Sequence, residues 1–99
     1  MAAYVISEVE AVDRELFERY RTLAQATIAQ YGGRYIVRGG EAALIEGEPP
    51  PKTFVIVEFP NMARAREWYR SPEYAEALKV RRGALNRRLV FVEGAAPAQ

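Results

Sequence analysis

The chain contains no cysteine and no histidine. Without cysteine it can form neither a disulfide nor a thiolate nucleophile. Without histidine it has no Ser-His pair, and with neither residue it has no zinc site of the usual kind and no haem held by an axial histidine or cysteine. Acids alone can hold a hard cation through oxygen, but the carboxylates show no clustered spacing. The only aspartate, Asp13, stands where a helix cap is needed. No metal and no cofactor is therefore expected. Long apolar runs are also missing, since none approaches the roughly 20 residues that cross a bilayer. Met1-Ala2-Ala3-Tyr4 is not a basic segment leading into an apolar core, so a cytoplasmic location is expected. Charge of one sign is lacking as well: the net charge is +1, so neither a membrane surface nor nucleic acid is an expected partner.

What is present is an ordinary globular composition, 49% apolar and 27% charged. Ninety-nine residues suit one domain, expected over residues 1–94, with residues 95–99 as a disordered tail. A chain this short buries only about 60–65% of its unfolded surface, so the core is thin. Twelve of the fourteen basic residues are arginine. Arginine forks suit carboxylates and phosphates, although pairs such as Arg14/Glu18 and Glu15/Arg19 fit a solvated helix face equally well.

Residues 3–10 read as a strand. Asp13 then caps a helix whose stripe runs through Leu16, Phe17, Tyr20, Leu23, Ala24, Thr27, Ile28 and Tyr31 at three- and four-residue spacing. Gly32 ends it. Arg34 to Arg38 is a second strand, interrupted by Gly39-Gly40 and continued by Glu41 to Glu46 after a bend. The run Gly47 to Lys52, with three prolines, is a turn. Thr53 to Phe59 is the third strand. Asn61 caps a helix lined by Met62, Ala65, Trp68 and Tyr69. Ser71-Pro72-Glu73 starts another, reaching about Ala84. Arg87 to Glu93 is the last strand.

The order is strand, helix, strand, strand, helix, strand, which predicts an α+β, ferredoxin-like βαββαβ fold. Its four-stranded antiparallel sheet carries the helices on one face. Strand parity shows both faces to be apolar: Tyr4 and Ile6 oppose Val5 and Val9, Phe54 and Ile56 oppose Val55, Val57 and Phe59, and Leu89 and Phe91 oppose Val90 and Val92. A wet sheet face would alternate apolar and polar. The second face therefore needs a cover, and a second copy of the chain is the simplest one. Burial of about 800 Å² per partner, at roughly 25 cal/mol per Å², offsets association costs of about 4–15 kcal/mol. The expected assembly is a homodimer whose two sheets pack face to face into a dimeric α+β barrel.

An ordered series of short motifs resembles a known family. It comprises Gly32-Gly33-Arg34-Tyr35 with Arg38-Gly39-Gly40, Glu46-Gly47, Val57-Glu58-Phe59-Pro60, Ala65 with Trp68-Tyr69, Ser71-Pro72-Glu73-Tyr74 with Arg81, and Val92-Glu93-Gly94. Together these motifs, over about residues 3–94, resemble the domain-of-unknown-function 1330 family. The resemblance implies the dimeric α+β barrel superfamily, whose members range from cofactor-free monooxygenases to stress-response proteins. It therefore implies a fold and no particular activity.

Several residue groups are candidates for chemistry. Arg38 beside Gly39 can place a bidentate donor where a ligand approaches backbone; alternatively the glycines bend the strand and Arg38 pairs with Glu58 or Glu93. Trp68 can wall a pocket for a flat apolar ligand and Tyr74 can donate a phenolic proton; alternatively both are core and Ser71 is only a cap. Tyr20, in the middle of an apolar stripe, needs a partner for a buried hydroxyl, and a carboxylate or an arginine would serve. Glu58 lies between Val57 and Phe59. It is either wet at the strand's exit or buried with a raised pKa, in which case it is the best general base in the chain. Among Arg81, Arg82, Arg87 and Arg88, Arg81 is expected to reach toward an acidic ligand. The expected function is binding of a small, acidic or aromatic metabolite, with Glu58 and Tyr74 as catalytic candidates for proton transfer or cofactor-free oxygenation and Tyr20, Arg38, Gly39, Trp68 and Arg81 as ligand contacts. The alternative is a non-catalytic homodimeric interaction or regulatory module.

Overall fold

The computed structural model describes residues 1–96; Pro97–Gln99 of the expected tail lie outside the described residues. The elements are β1 (Ala3–Ala11), α1 (Arg14–Gln30), β2 (Arg34–Arg38), β3 (Thr53–Phe59), α2 (Met62–Arg70), α3 (Pro72–Ala84) and β4 (Leu85–Glu93). The strands form one antiparallel sheet in the order β2-β3-β1-β4. This is the expected ferredoxin-like α+β arrangement. No helix among the described residues is long and apolar enough to cross a membrane.

Local chemistry sets the helix boundaries. Asp13 Oδ1 accepts from the Leu16 amide at 3.0 Å, Asn61 Oδ1 from Arg64 at 2.8 Å, and Ser71 Oγ from Tyr74 at 3.1 Å. Each cap satisfies an amide that the first helical turn leaves free. Pro72 occupies the first position of α3, where its missing donor costs nothing. On the solvated face of α1, Glu18 pairs with Arg21 at 3.0 Å rather than with Arg14.

Two boundaries differ from the sequence reading. β4 begins at Leu85, because Leu85 pairs with Ala11 and the Ala84 carbonyl accepts from the amides of Val12 and Asp13. Residues 41–46 do not prolong β2. Gly39 takes φ +75° and turns the chain out of the sheet. The stretch facing them before Thr53 holds three consecutive prolines, which have no amide to offer a ladder. The result is an exposed loop in which Ile45 is 85% accessible.

Ala3, Val5, Ser7 and Val9 of the central strand β1 point toward the helices and are buried. They join Val57, Phe59, Ile28, Trp68 and Tyr74 in the core. Trp68 lies 4.2 Å from the Tyr74 ring and 5.3 Å from that of Phe59, centroid to centroid. On the opposite face Ile6 pairs with Ile56 on one side and Val90 on the other. No element among the described residues covers them, and Val90 and Val92 are 39% and 44% exposed.

The turn after α1 fits tightly against the core. A β-carbon on Gly33 would lie 2.8 Å from Phe59 and 2.9 Å from Ile28, whereas one on Gly40 would meet nothing within 4 Å. Gly33→Ala should cost about 1–3 kcal/mol through overpacking. Gly40→Ala should leave stability unchanged or slightly raised. Urea denaturation of the two variants checks both values.

Candidate functional site

A cavity of about 270 Å³ lies between the sheet and α1. Its walls are largely apolar, from Val5, Val9, Val55 and Val57 of the sheet to Phe17, Ala24 and Ile28 of α1, with Trp68 and Leu85. Its charged residues are all arginines: Arg21, Arg38 and Arg87. Arg21 is neutralised by Glu18. Arg38 and Arg87 have no carboxylate partner among the described residues.

Arg87 enters from β4, on the strand face that also carries Leu89 and Phe91. Its Nη1 donates to the Tyr20 hydroxyl at 2.8 Å and its Nη2 to the Tyr74 hydroxyl at 3.0 Å, while the two hydroxyls bond each other at 2.5 Å. Tyr20 comes from the inner stripe of α1, and Tyr74 from the first turn of α3. Burial pushes the Tyr74 phenol well above the ordinary tyrosine range; the adjoining Tyr20 adds to this and Arg87 opposes it. Burial alone would lower the pKa of Arg87, but the two phenols outweigh it and hold the guanidinium above its ordinary value. The cavity therefore contains a permanent cation held by two neutral hydroxyls.

At the other edge of the sheet, a register shift between Tyr35 and Val37 re-aims β2. Tyr35 pairs with Val57 and Arg38 with Val55, both on the helix-facing side. Simple alternation would have sent these two side chains to opposite faces; a bulge puts them on one. The Arg38 guanidinium stacks 4.2 Å from the Tyr35 ring centroid and donates to Gln25 Oε1 at 2.7 Å. Gly39 and Thr53, the two ends of the exposed loop, also border the cavity.

Of the residues expected from sequence, the fold brings Tyr20, Arg38, Gly39 and Trp68 to this cavity. Trp68 is both wall and core: it is 2% exposed and its indole nitrogen donates to Thr27 Oγ1 at 3.0 Å. Tyr74 sits one hydrogen bond behind the lining and is fully buried. Ser71 serves as the α3 cap. Two expectations are corrected. Glu58 lies on the opposite sheet face, where Arg34 Nε donates to it at 2.8 Å. That bond holds its carboxyl below the usual range against the opposing effect of partial burial, so it is not a buried base of raised pKa. Arg38 pairs with neither Glu58 nor Glu93. Arg81 is not among the residues lining the cavity, and its buried Nε meets no partner; of Arg81, Arg82, Arg87 and Arg88, it is Arg87 that lines the cavity. The parity shared by Arg87, Leu89 and Phe91 was the available signal. Ser7 was also missed. It is the polar residue on a strand face otherwise made of Ala3, Val5 and Val9, it is 7% exposed, and it borders the cavity. No group of three or more acids that could hold a metal ion occurs among the described residues.

Residues 2–95 match the family model for the domain of unknown function DUF1330, and the chain belongs to that family. Among solved structures, the chain is similar to RPA0582, a protein of unknown function from Rhodopseudomonas palustris. The TM-score is 0.77 at 21% identity, over 97% of this chain and 84% of that one. It is also similar to a dimeric protein of unknown function and ferredoxin-like fold from Bacteroides fragilis, with a TM-score of 0.63 at 15% identity, over 94% of this chain and 96% of that one. Likeness at such identities concerns the fold. No curated protein matches the sequence.

The raised pKa of Tyr74 has a signed consequence. A phenol whose folded pKa exceeds its unfolded value, about 10, contributes stability that is complete below pH 10 and is lost as pH rises toward the folded value. Tyr74→Phe should therefore flatten the fall in stability above pH 10. Paired alkaline titrations and denaturation curves check this.

Proposed function

We propose that this protein binds a small organic anion with a flat or apolar body in the cavity between sheet and α1. The observation that carries this reading is Arg87: a half-buried guanidinium in an apolar cavity, hydrogen-bonded only to two neutral phenols, with no acid among the residues lining the cavity. Removing a cation from water is expensive unless a counter-charge meets it. Arginine's fork suits a carboxylate, an enolate or a phenolate. The Tyr20 hydroxyl beside it supplies a further polar contact, and Tyr74 fixes the geometry from behind. The apolar walls with a few convergent polar groups match the usual composition of a small-molecule site.

The same cluster would stabilise negative charge developing on a substrate oxygen. With Glu58 outside, the lining offers no carboxylate to take a proton. Catalysis in this cavity would thus begin from a substrate that enters already ionised, and binding is the function proposed.

We further infer that two copies pair through the uncovered sheet face. The apolar strip of Ile6, Ile56, Val90 and Val92 supports this, as does the description of the Bacteroides fragilis neighbour as dimeric. Ile6 sits at the centre of the strip, so Ile6→Lys should place a charge in the middle of the pair. In native mass spectrometry the wild type should show twice the chain mass and the variant one chain mass. A monomeric wild type would refute the pairing.

Arg87→Met tests the anion site. Replacing Arg87 removes one hydrogen bond from each of the two phenols, so the variant should stay folded in urea denaturation but lose about 1–3 kcal/mol. Isothermal titration with benzoate should show binding to the wild type and at least tenfold weaker binding to the variant. Equal affinities would overturn the assignment.

A further inference from the structure

Arg38 and Arg87 open on the same cavity from opposite edges of the sheet, β2 and β4, and Ser7 lies between them. The strand register places them. Arg38 pairs with Val55, Val55 pairs with Ser7, and Ser7 pairs with Leu89, forming one row across the sheet. Arg87 stands two residues from Leu89 on β4 and is paired with Val9. At about 4.8 Å per strand interval, Arg38 is roughly 10 Å from Ser7 along the row. Ser7 and Arg87 are diagonal neighbours, about 7–8 Å apart. Three polar positions thus form a line across an otherwise apolar floor.

Neither arginine meets a counter-charge among the described residues. Arg87 is bonded only to phenols. Arg38 stacks on Tyr35 and donates to a neutral amide, that of Gln25. Ser7, 7% exposed, borders the cavity. A single carboxylate would answer one end only. The bulge in β2 is what turns Arg38 inward, and bulges recur where a side chain must be re-aimed.

We propose, resting on the anion-binding reading above, that the ligand is an elongated dianion: two acidic groups at the ends of a flat, apolar spacer. One acid meets Arg87 and Tyr20, the other meets Arg38 on its Tyr35 platform, and Ser7 contacts a polar atom of the spacer. Arg38 selects the two-ended ligand, while Arg87 binds both one-ended and two-ended ones.

Matched acids separate the two ideas. Isothermal titration of the full chain would compare benzoate with terephthalate, cinnamate with para-carboxycinnamate, and hexanoate with adipate. At least one diacid should bind the wild type ten times or more tightly than its monoacid. Arg38→Gln, at an exposed position whose loss does not threaten the fold, should abolish that preference, weakening the diacid at least tenfold more than its monoacid. Arg87→Met should weaken both members of the pair. Equal affinity for mono- and diacids in the wild type, or a preference that survives Arg38→Gln, would overturn the dianion while leaving the anion site standing. Failure of every acid to bind the wild type would overturn both.

Discussion

Arg87 holds the molecule's layers in register. From β4 it reaches the hydroxyl of Tyr20 on α1 and that of Tyr74 on α3, and those hydroxyls bond each other. One guanidinium therefore ties the last strand to both long helices. An apolar side chain could pack these elements together, but it would leave two phenols sharing a single hydrogen bond. The cluster is polar where the surroundings are apolar, and it joins one cation to two phenols with no anion among its members. That imbalance distinguishes it from a structural ion pair, in which the counter-charge is built in. A protein gains little stability by enclosing a lone cation, so the arrangement makes physical sense as one half of an interaction completed from outside.

The bulge in β2 works to the same end from the other edge. Without it, Arg38 would share a face with Arg34, whose partner is Glu58 on the outward side. With it, Arg38 joins Tyr35 over the cavity. One inserted residue thus separates two arginines four positions apart into different roles: Arg34 balances a carboxylate on the outer face, and Arg38 lines the cavity. Gly39 immediately follows and carries the chain out of the sheet, so the re-aimed arginine ends the strand at the cavity's rim.

Much of the fold was legible from local rules. The caps at Asp13, Asn61 and Ser71, the helical stripe of α1 and the apolar alternation on both faces each depend on a few neighbouring residues, and each holds in the structure. The site was less legible because it depends on non-local register. Choosing Arg81 over Arg87 weighed a helix position against a strand position without using parity, although Arg87 shares its strand face with Leu89 and Phe91. Ser7 was readable in the same way, as the polar member of a buried row. The β2 bulge was not readable: nothing in Arg34-Tyr35-Ile36-Val37-Arg38 marks where a residue is skipped, and only pairing with β3 decides it. The misplacement of Glu58 follows from the same gap, since its partner Arg34 is fixed by cross-strand register.

The two faces of the sheet separate the two proposed properties. On β1, odd positions from Ala3 to Val9 face the helices, Val5, Ser7 and Val9 bordering the cavity, and even positions such as Tyr4 and Ile6 face outward. On β4, Arg87 and Leu89 lie on the helix-facing side and Arg88 and Val90 face away. Because adjacent residues on a strand point to opposite sides, the proposed assembly and the proposed ligand binding would be encoded in interleaved positions of the same strands. A substitution at an even position of β1 can alter pairing without touching the cavity, and one at Ser7 can alter the cavity without touching the paired face. The strands couple the two only through their backbone. A change in register would disturb both at once, moving Ser7 outward and Ile6 inward together. The tight fit of Gly33 against Phe59 and Ile28 fixes the turn from α1 into β2, the strand whose bulge sets one end of the site.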